Sequence, residues 1–156
     1  MRAVTSETFA ARYPPPADPP IDLRPIVRLA DFETPARGRL HPAAWSYYAR
    51  GTGDEHSMRN AEATWSRYLL VPRVLVDVEA IDLRTSVLGR EVALPVGIAP
   101  AALHGLAHLD GECATARAAG SAGVLQVVST VASRTMEEIT AGCTRCTALV
   151  PALRPA

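Results

Sequence analysis

The residues in this sequence that could take part in chemistry are His104 and His108, the cysteine pair Cys143 and Cys146, the adjacent phenols Tyr47 and Tyr48, and Ser129. A histidine works as a general base only when a partner orients its ring, and the sequence names no such partner for His104 or His108. Cys143-Thr144-Arg145-Cys146 is a CxxC motif. A structural zinc takes four ligands, so a single pair is a weak metal signal. A redox role would need a low-pKa cysteine at a helix start. Aromatic residues on helices usually pack in the core, and Tyr48 suits that role better than Tyr47. A serine that ends a strand is more often a turn residue or a cap than a ligand.

These side chains must be positioned by elements that the local pattern predicts. Residues 1–25 read as a loose arm, rich in proline at Pro14, Pro15, Pro16, Pro19 and Pro20. A short helix is expected over Leu29 to Arg37. His41-Pro42 opens a second, Ala43 to Arg50, because proline suits a first helical turn; Gly51 and Gly53 stop it. Asp54 is placed to cap a third helix running to about Tyr68. Leu83 to Val87, Gly89-Arg90 and Glu91 to Leu94 read as a β-hairpin. Val96 to Ala99 is a short, wholly apolar run ended by Pro100, the pattern of a strand buried on both faces. Glu112 to Ala122 follows as an alanine-rich helix closed by Gly123. Val124 to Val128 is the next buried strand, and Thr135 can cap a helix at Met136 to Ile139. Strand, helix, strand, helix implies parallel strands and an α/β fold. Two such units do not choose between a barrel and a doubly wound sheet.

Composition narrows the class. Hydrophobic residues make up 48% of the 156 residues, enough for a packed core. The 16 basic and 16 acidic residues balance, which argues against a surface built to hold nucleic acid. Three cysteines, none before Cys113, do not suggest a secreted disulfide framework. The polar, proline-rich start lacks the apolar stretch of a secretory signal. Val92 to Leu109 is too broken by Pro95, Pro100 and His104 to span a membrane. A cytoplasmic protein with no membrane partner is expected.

Several segments resemble one family, the FMN-dependent 2-hydroxy acid oxidases and dehydrogenases. They are Trp45-Ser46-Tyr47-Tyr48-Ala49-Arg50-Gly51; Pro72-Arg73-Val74-Leu75-Val76-Asp77-Val78; Leu88-Gly89; Pro95-Val96-Gly97-Ile98-Ala99-Pro100-Ala101-Ala102; Ala107-His108-Leu109-Asp110-Gly111-Glu112; Ala114 to Ala119; and Ser129-Thr130-Val131-Ala132-Ser133 with Glu137-Glu138. They keep the family's order and spacing over residues 26–141. The Tyr47-Tyr48 helix block argues against other FMN barrels, such as isopentenyl diphosphate isomerase or inosinate dehydrogenase relatives. The resemblance implies the N-terminal part of a (β/α)8 barrel, preceded by short helices and a hairpin and incomplete as a barrel. It implies FMN as cofactor, a small 2-hydroxy acid as substrate, and a homo-oligomer for a full-length member.

The resemblance also assigns residues. Tyr47 corresponds to a tyrosine whose hydroxyl binds the substrate carboxylate; a phenol can donate that bond without carrying charge, which suits an apolar pocket. Pro100, Ala101 and Ala102 correspond to the turn that lies against the flavin ring, where small residues let the backbone approach and where barrel sites form. Many members have threonine where this chain has Ala101, so a side-chain hydroxyl is lost and the backbone donors stay. Ser129 corresponds to a serine that contacts the flavin. Val131 stands where glycolate oxidases carry tryptophan, which leans away from glycolate toward lactate-like or larger substrates. The family's base is a histidine far toward the C-terminus, so His104 and His108 read as structural.

The family moves a hydride, or an equivalent carbanion pair, from the substrate α-carbon to the flavin. The histidine, arginine, aspartate, second tyrosine and lysine it uses lie beyond residue 156. After Ala141 the family continues Gly-Pro-Arg-Trp-Phe-Gln-Leu-Tyr, whereas this chain reads Thr147-Ala148-Leu149-Val150-Pro151-Ala152-Leu153-Arg154. One choice of synonymous codons for these residues, read one nucleotide later, encodes Pro-Arg-Trp-Phe-Gln-Leu-Tyr. Residues 142–156 are therefore expected to be a frameshifted reading of the third strand, which leaves the CxxC without a selected purpose. The alternative to an enzyme is then an inactive frameshift or pseudogene product. Poor solubility and no stable FMN binding are expected of two barrel strands with open edges.

Overall fold

The computed structural model describes residues 21–141 and the backbone of Ala148–Leu149. Most of the proline-rich arm, and Cys143 and Cys146, lie outside the described residues.

A 3-10 turn at Leu29–Phe32 leads into α1, Glu33–Arg39. The carboxylate of Asp31 accepts the N–H groups of Val27 and Arg28 at 3.0 and 2.8 Å and fixes this entry. The second helix, α2, is Pro42–Ala49, with proline in its first turn as expected. His41 caps it, its Nδ1 accepting the Ala43 N–H at 3.2 Å. Arg37 lies over the Trp45 ring, 6.0 Å from its centre, and joins α1 to α2.

The third helix, α3, is shorter than the sequence suggests, His56–Trp65. Its N-cap is Glu55, in the left-handed region at φ 58°, and not Asp54. The reason is geometric: from Glu55 the carboxylate reaches back to accept the Gly51 N–H at 3.1 Å. Asp54 instead offers its carbonyl to Arg59. At the far end the Ser66 hydroxyl donates to Ala63 O at 2.6 Å and competes with the helical ladder.

The chain then runs without regular structure, bending at Val74–Leu75 and Glu79–Ala80, to the hairpin, formed by β1, Thr85–Val87, and β2, Arg90–Val92. The two-residue turn between them is Leu88-Gly89, with both φ angles positive at 53° and 75°. That is the twist that closes a tight hairpin. The expected turn at Gly89-Arg90 is one residue late.

The α/β part follows. Strand β3 is Gly97–Ile98, α4 is Glu112–Ala122, β4 is Leu125–Val127, α5 is Met136–Ala141 and β5 is Ala148–Leu149. The three strands are parallel in the order β3-β4-β5. Helix α4 starts and stops where the sequence predicts, between Gly111 and Gly123. Helix α5 has a reciprocal cap: Thr135 Oγ1 accepts the Glu138 N–H at 3.2 Å, and Glu138 Oε2 accepts the Thr135 N–H at 2.8 Å.

The core lies between β4 and the two helices. Ala116, Val128 and Ile139 are fully buried there, with Cys113, Ala132 and Met136 packed around them. Alanine at 116 and 119 lets α4 sit close to the sheet. One expectation fails: β3 is not buried on both faces, since Gly97 is exposed and Ile98 only half-buried. As an edge strand bonded to β4 alone, it keeps its faces partly open. Among the described residues the sheet is open and no barrel closes. The connection Leu69 to Ile81 is also uncovered, with Leu70 at 100% exposure.

Candidate functional site

Parallel strands bring their C-terminal ends to one side. The register pairs Gly97 with Leu125 and Ile98 with Gln126. Continued by count, it sets Pro100 beside Val128 and Ala101 beside Ser129. The sequence-predicted flavin residues Pro100, Ala101, Ala102 and Ser129 thus stand at one end of two adjacent strands, as barrel sites do.

Two loops carry them, and a set of hydrogen bonds ties the loops together. The Leu103 N–H donates to Val131 O at 3.2 Å. Glu112, at the start of α4 and only 1% exposed, accepts from both loops. Its Oε1 takes the N–H groups of His104 at 3.0 Å and Ser133 at 2.9 Å. Its Oε2 takes the Ser133 hydroxyl at 2.6 Å, and Ser133 Oγ in turn accepts the Gly105 N–H at 2.8 Å. Burial opposes the charge on Glu112. The bonds from the Ser133 hydroxyl and N–H, its own N–H and that of His104 outweigh it and hold the carboxyl below its ordinary range. Sequence reasoning missed this residue because its partners lie 8 and 21 positions away. The only local signal was an acid at a helix start after Gly111.

Helix α2 reaches the same loops through Tyr48, whose hydroxyl donates to Leu103 O at 2.5 Å. Burial, then the nearby Glu112 charge, then Tyr47 push the Tyr48 phenol up to about 12. Tyr48 is therefore the packing tyrosine of the pair. Tyr47 is 51% exposed, its ring edge-on to that of Tyr48 with centroids 5.3 Å apart, and so free to meet a ligand. Replacing Tyr48 by phenylalanine should cost about 1 kcal/mol, the loss of one hydrogen bond to a carbonyl left half-buried. A raised phenol pKa gives stability that is complete below the unfolded value near 10 and lost as pH rises toward 12. Thermal melts of wild type and Tyr48→Phe should therefore converge over that alkaline window.

His104 and His108 serve structure. The His104 ring meets Thr115 on α4, Nδ1 to Oγ1 at 3.0 Å, turned toward the helix. His108 Nδ1 accepts the Asp110 N–H at 3.1 Å within its own turn. Ser129 Oγ accepts the Val131 N–H at 3.2 Å, which holds the turn and leaves the hydroxyl proton to donate. Val131 is 57% exposed at the same end. Cys113 is half-buried, and burial pushes its thiol up, away from a reactive thiolate. Gln126, on the face of β4 shared with Val128, is buried with no partner for its Oε1 among the described residues. No cluster of metal-ligating residues occurs among the described residues, and no described helix is long and apolar enough to cross a membrane.

This arrangement can be set against known proteins. The family model described as FMN-dependent dehydrogenase matches residues 36–152. The chain belongs to the FMN-dependent dehydrogenase family. It is 45% identical over 113 residues to an L-lactate oxidase of Nostoc, covering 72% of this chain and 31% of that protein. It is 40% identical over 114 residues to glycolate oxidase 1 of Zea mays, 73% of this chain and 31% of the relative. The chain therefore spans about a third of these relatives' length. Flavocytochrome b2 superposes with a TM-score of 0.77 at 35% identity, over 85% of this chain and 35% of that one. A mandelate oxidase superposes with a TM-score of 0.72 at 37% identity, over 78% of this chain and 36% of that one. FMN is the cofactor of the FMN-dependent dehydrogenase family, and the residues here fit it. Ala101 and Ala102 put no side chain beyond Cβ in front of their backbone, and Pro100 and Ala101 are exposed.

Proposed function

We propose that this chain supplies the first part of the FMN- and carboxylate-binding wall of an enzyme that oxidises an L-2-hydroxy acid, lactate-like in size, to a 2-oxo acid. One observation supports the reading: the ends of β3 and β4 carry Pro100–Ala102 and Ser129 on the same side, and the Tyr48–Leu103 bond ties α2, the helix that carries Tyr47, to the loop after β3. Held by these residues, FMN would supply the two-electron acceptor that the oxidation needs. The chain's own residues bind and orient. The Pro100–Ala102 backbone and the Ser129 hydroxyl would hold the flavin. The Tyr47 phenol would donate to the substrate carboxylate, and Val131 would leave room for a methyl or larger group. The 45% identity to an L-lactate oxidase supports the lactate-like reading.

A second reading is favoured by the uncovered apolar run Leu69 to Ile81 and the open edge of β3. In it the 156-residue chain has no activity of its own, and residues 142–156 are out of frame. One experiment addresses both. The chain is purified alone, and residues 1–141 are also joined to the C-terminal two-thirds of the Nostoc L-lactate oxidase. The joined protein is expected to be yellow and to oxidise L-lactate, and the chain alone to elute colourless. In the joined protein Tyr47→Phe should raise KM about tenfold or more, the cost of one hydrogen bond to a charged carboxylate. A joined protein that folds and binds no flavin sinks the proposal.

A further inference from the structure

We propose that Glu112 is a positioning residue: its buried carboxylate clamps the loop after β3 to the loop after β4 and so sets the spacing between the Pro100–Ala102 and Ser129 backbones. The catalytic worth of the clamp rests on the function proposed above, but the clamp itself does not. A carboxylate at a helix start usually serves the local N–H groups and the helix dipole. This one accepts from two distant segments as well. Its oxygens take the His104 N–H, the Ser133 N–H and the Ser133 hydroxyl, and the Ser133 oxygen extends the link to Gly105. All of the distant groups that reach it are donors, so the site selects a group that only accepts, which is an ionised carboxylate. The Leu103–Val131 bond runs parallel to this link and joins the same two loops. Losing the carboxylate would leave that bond, the Gly105–Ser133 bond and the Arg134–Leu109 bond to hold them, with no buried acceptor between.

Other titratable groups surround this one. Tyr48 approaches from α2, His104 lies on the first loop and Cys113 follows on α4. Arg134 and Glu138 reach the same helix start past Cys113. The folded pKa of Glu112 is lowered, so its stabilisation is present above the unfolded value and is lost as pH falls through the folded one.

The test is amide hydrogen exchange on the dilute 156-residue chain, wild type against Glu112→Gln and Ser133→Ala, across a pH series. Glutamine keeps the shape and one acceptor but loses the charge. In Glu112→Gln, peptides covering 99–108 and 127–135 should both exchange about tenfold faster, while peptides within 114–125 stay unchanged. The wild-type loops should lose protection toward acid pH, and those of Glu112→Gln should show a flat profile. Ser133→Ala should loosen Gly105 first and leave the His104 amide protected. Equal acceleration of the whole chain, or no change in either loop, overturns the clamp. In the joined protein, loosened loops with unchanged FMN affinity would leave the clamp standing and count against the flavin reading of these loops.

Discussion

Truncating Ile139 to alanine should lower the unfolding free energy by about 2–5 kcal/mol, the range for emptying a well-packed apolar site. Ile139 is 0% exposed and meets Ala116 and Val128 at the centre of the only buried cluster described. Helix α5 has six residues, Met136–Ala141, too few to be stable by itself. Its residence on the sheet depends on this side chain and on the Thr135–Glu138 cap. Because domains are stable by only about 5–15 kcal/mol, the loss is a large share of the whole. Urea unfolding followed by far-ultraviolet dichroism would measure it. A loss below about 1 kcal/mol would mean that α5 is not docked as described.

The second large effect is expected at Gly111. Its φ of 51° with ψ of −132° lies where residues with a Cβ are strained. A Cβ there would also sit 3.0 Å from Ser133 Oγ and 3.4 Å from the Gly105 N. Gly111→Ala should cost about 1–3 kcal/mol for the backbone alone, and more as Ser133 is pushed off Glu112. Gly38 in α1 is the control, because a Cβ at Gly38 meets nothing within 4 Å. Gly38→Ala should be neutral or stabilising by up to about 1 kcal/mol. Equal melting temperatures for Gly111→Ala and wild type would refute the strain argument.

What could be read from the residues follows the range of the forces involved. Helix α4 was legible to both ends because glycine at 111 and 123 acts within one turn. The hairpin was legible from two short runs flanking Gly89, and its turn shifted by one because Leu88 accepts a positive φ that leucine rarely adopts. The start of α3 was misplaced because Asp54 and Glu55 both carry carboxylates, and only the geometry of Gly51 chooses between them. The burial of β3 was overestimated because an apolar run states what a strand prefers, not how many neighbours it has. At the site, the placement of Pro100–Ala102 and Ser129 at strand ends followed from the parallel βα pattern. The Glu112 clamp did not, since no periodicity encodes a contact across 21 residues.

The apolar connection between α3 and the hairpin has a consequence for the life of the molecule in a cell. Leu69, Leu70, Val71, Val74 and Leu75 stand in this stretch, outside any helix or strand, with their side chains in water. A ribbon of that kind matches the segments that holdase chaperones grip and that growing aggregates recruit. The amount of protein recovered from cells should then depend on how quickly that ribbon is taken out of solvent, a race of rates in which the equilibrium of the α4–α5 core has little say.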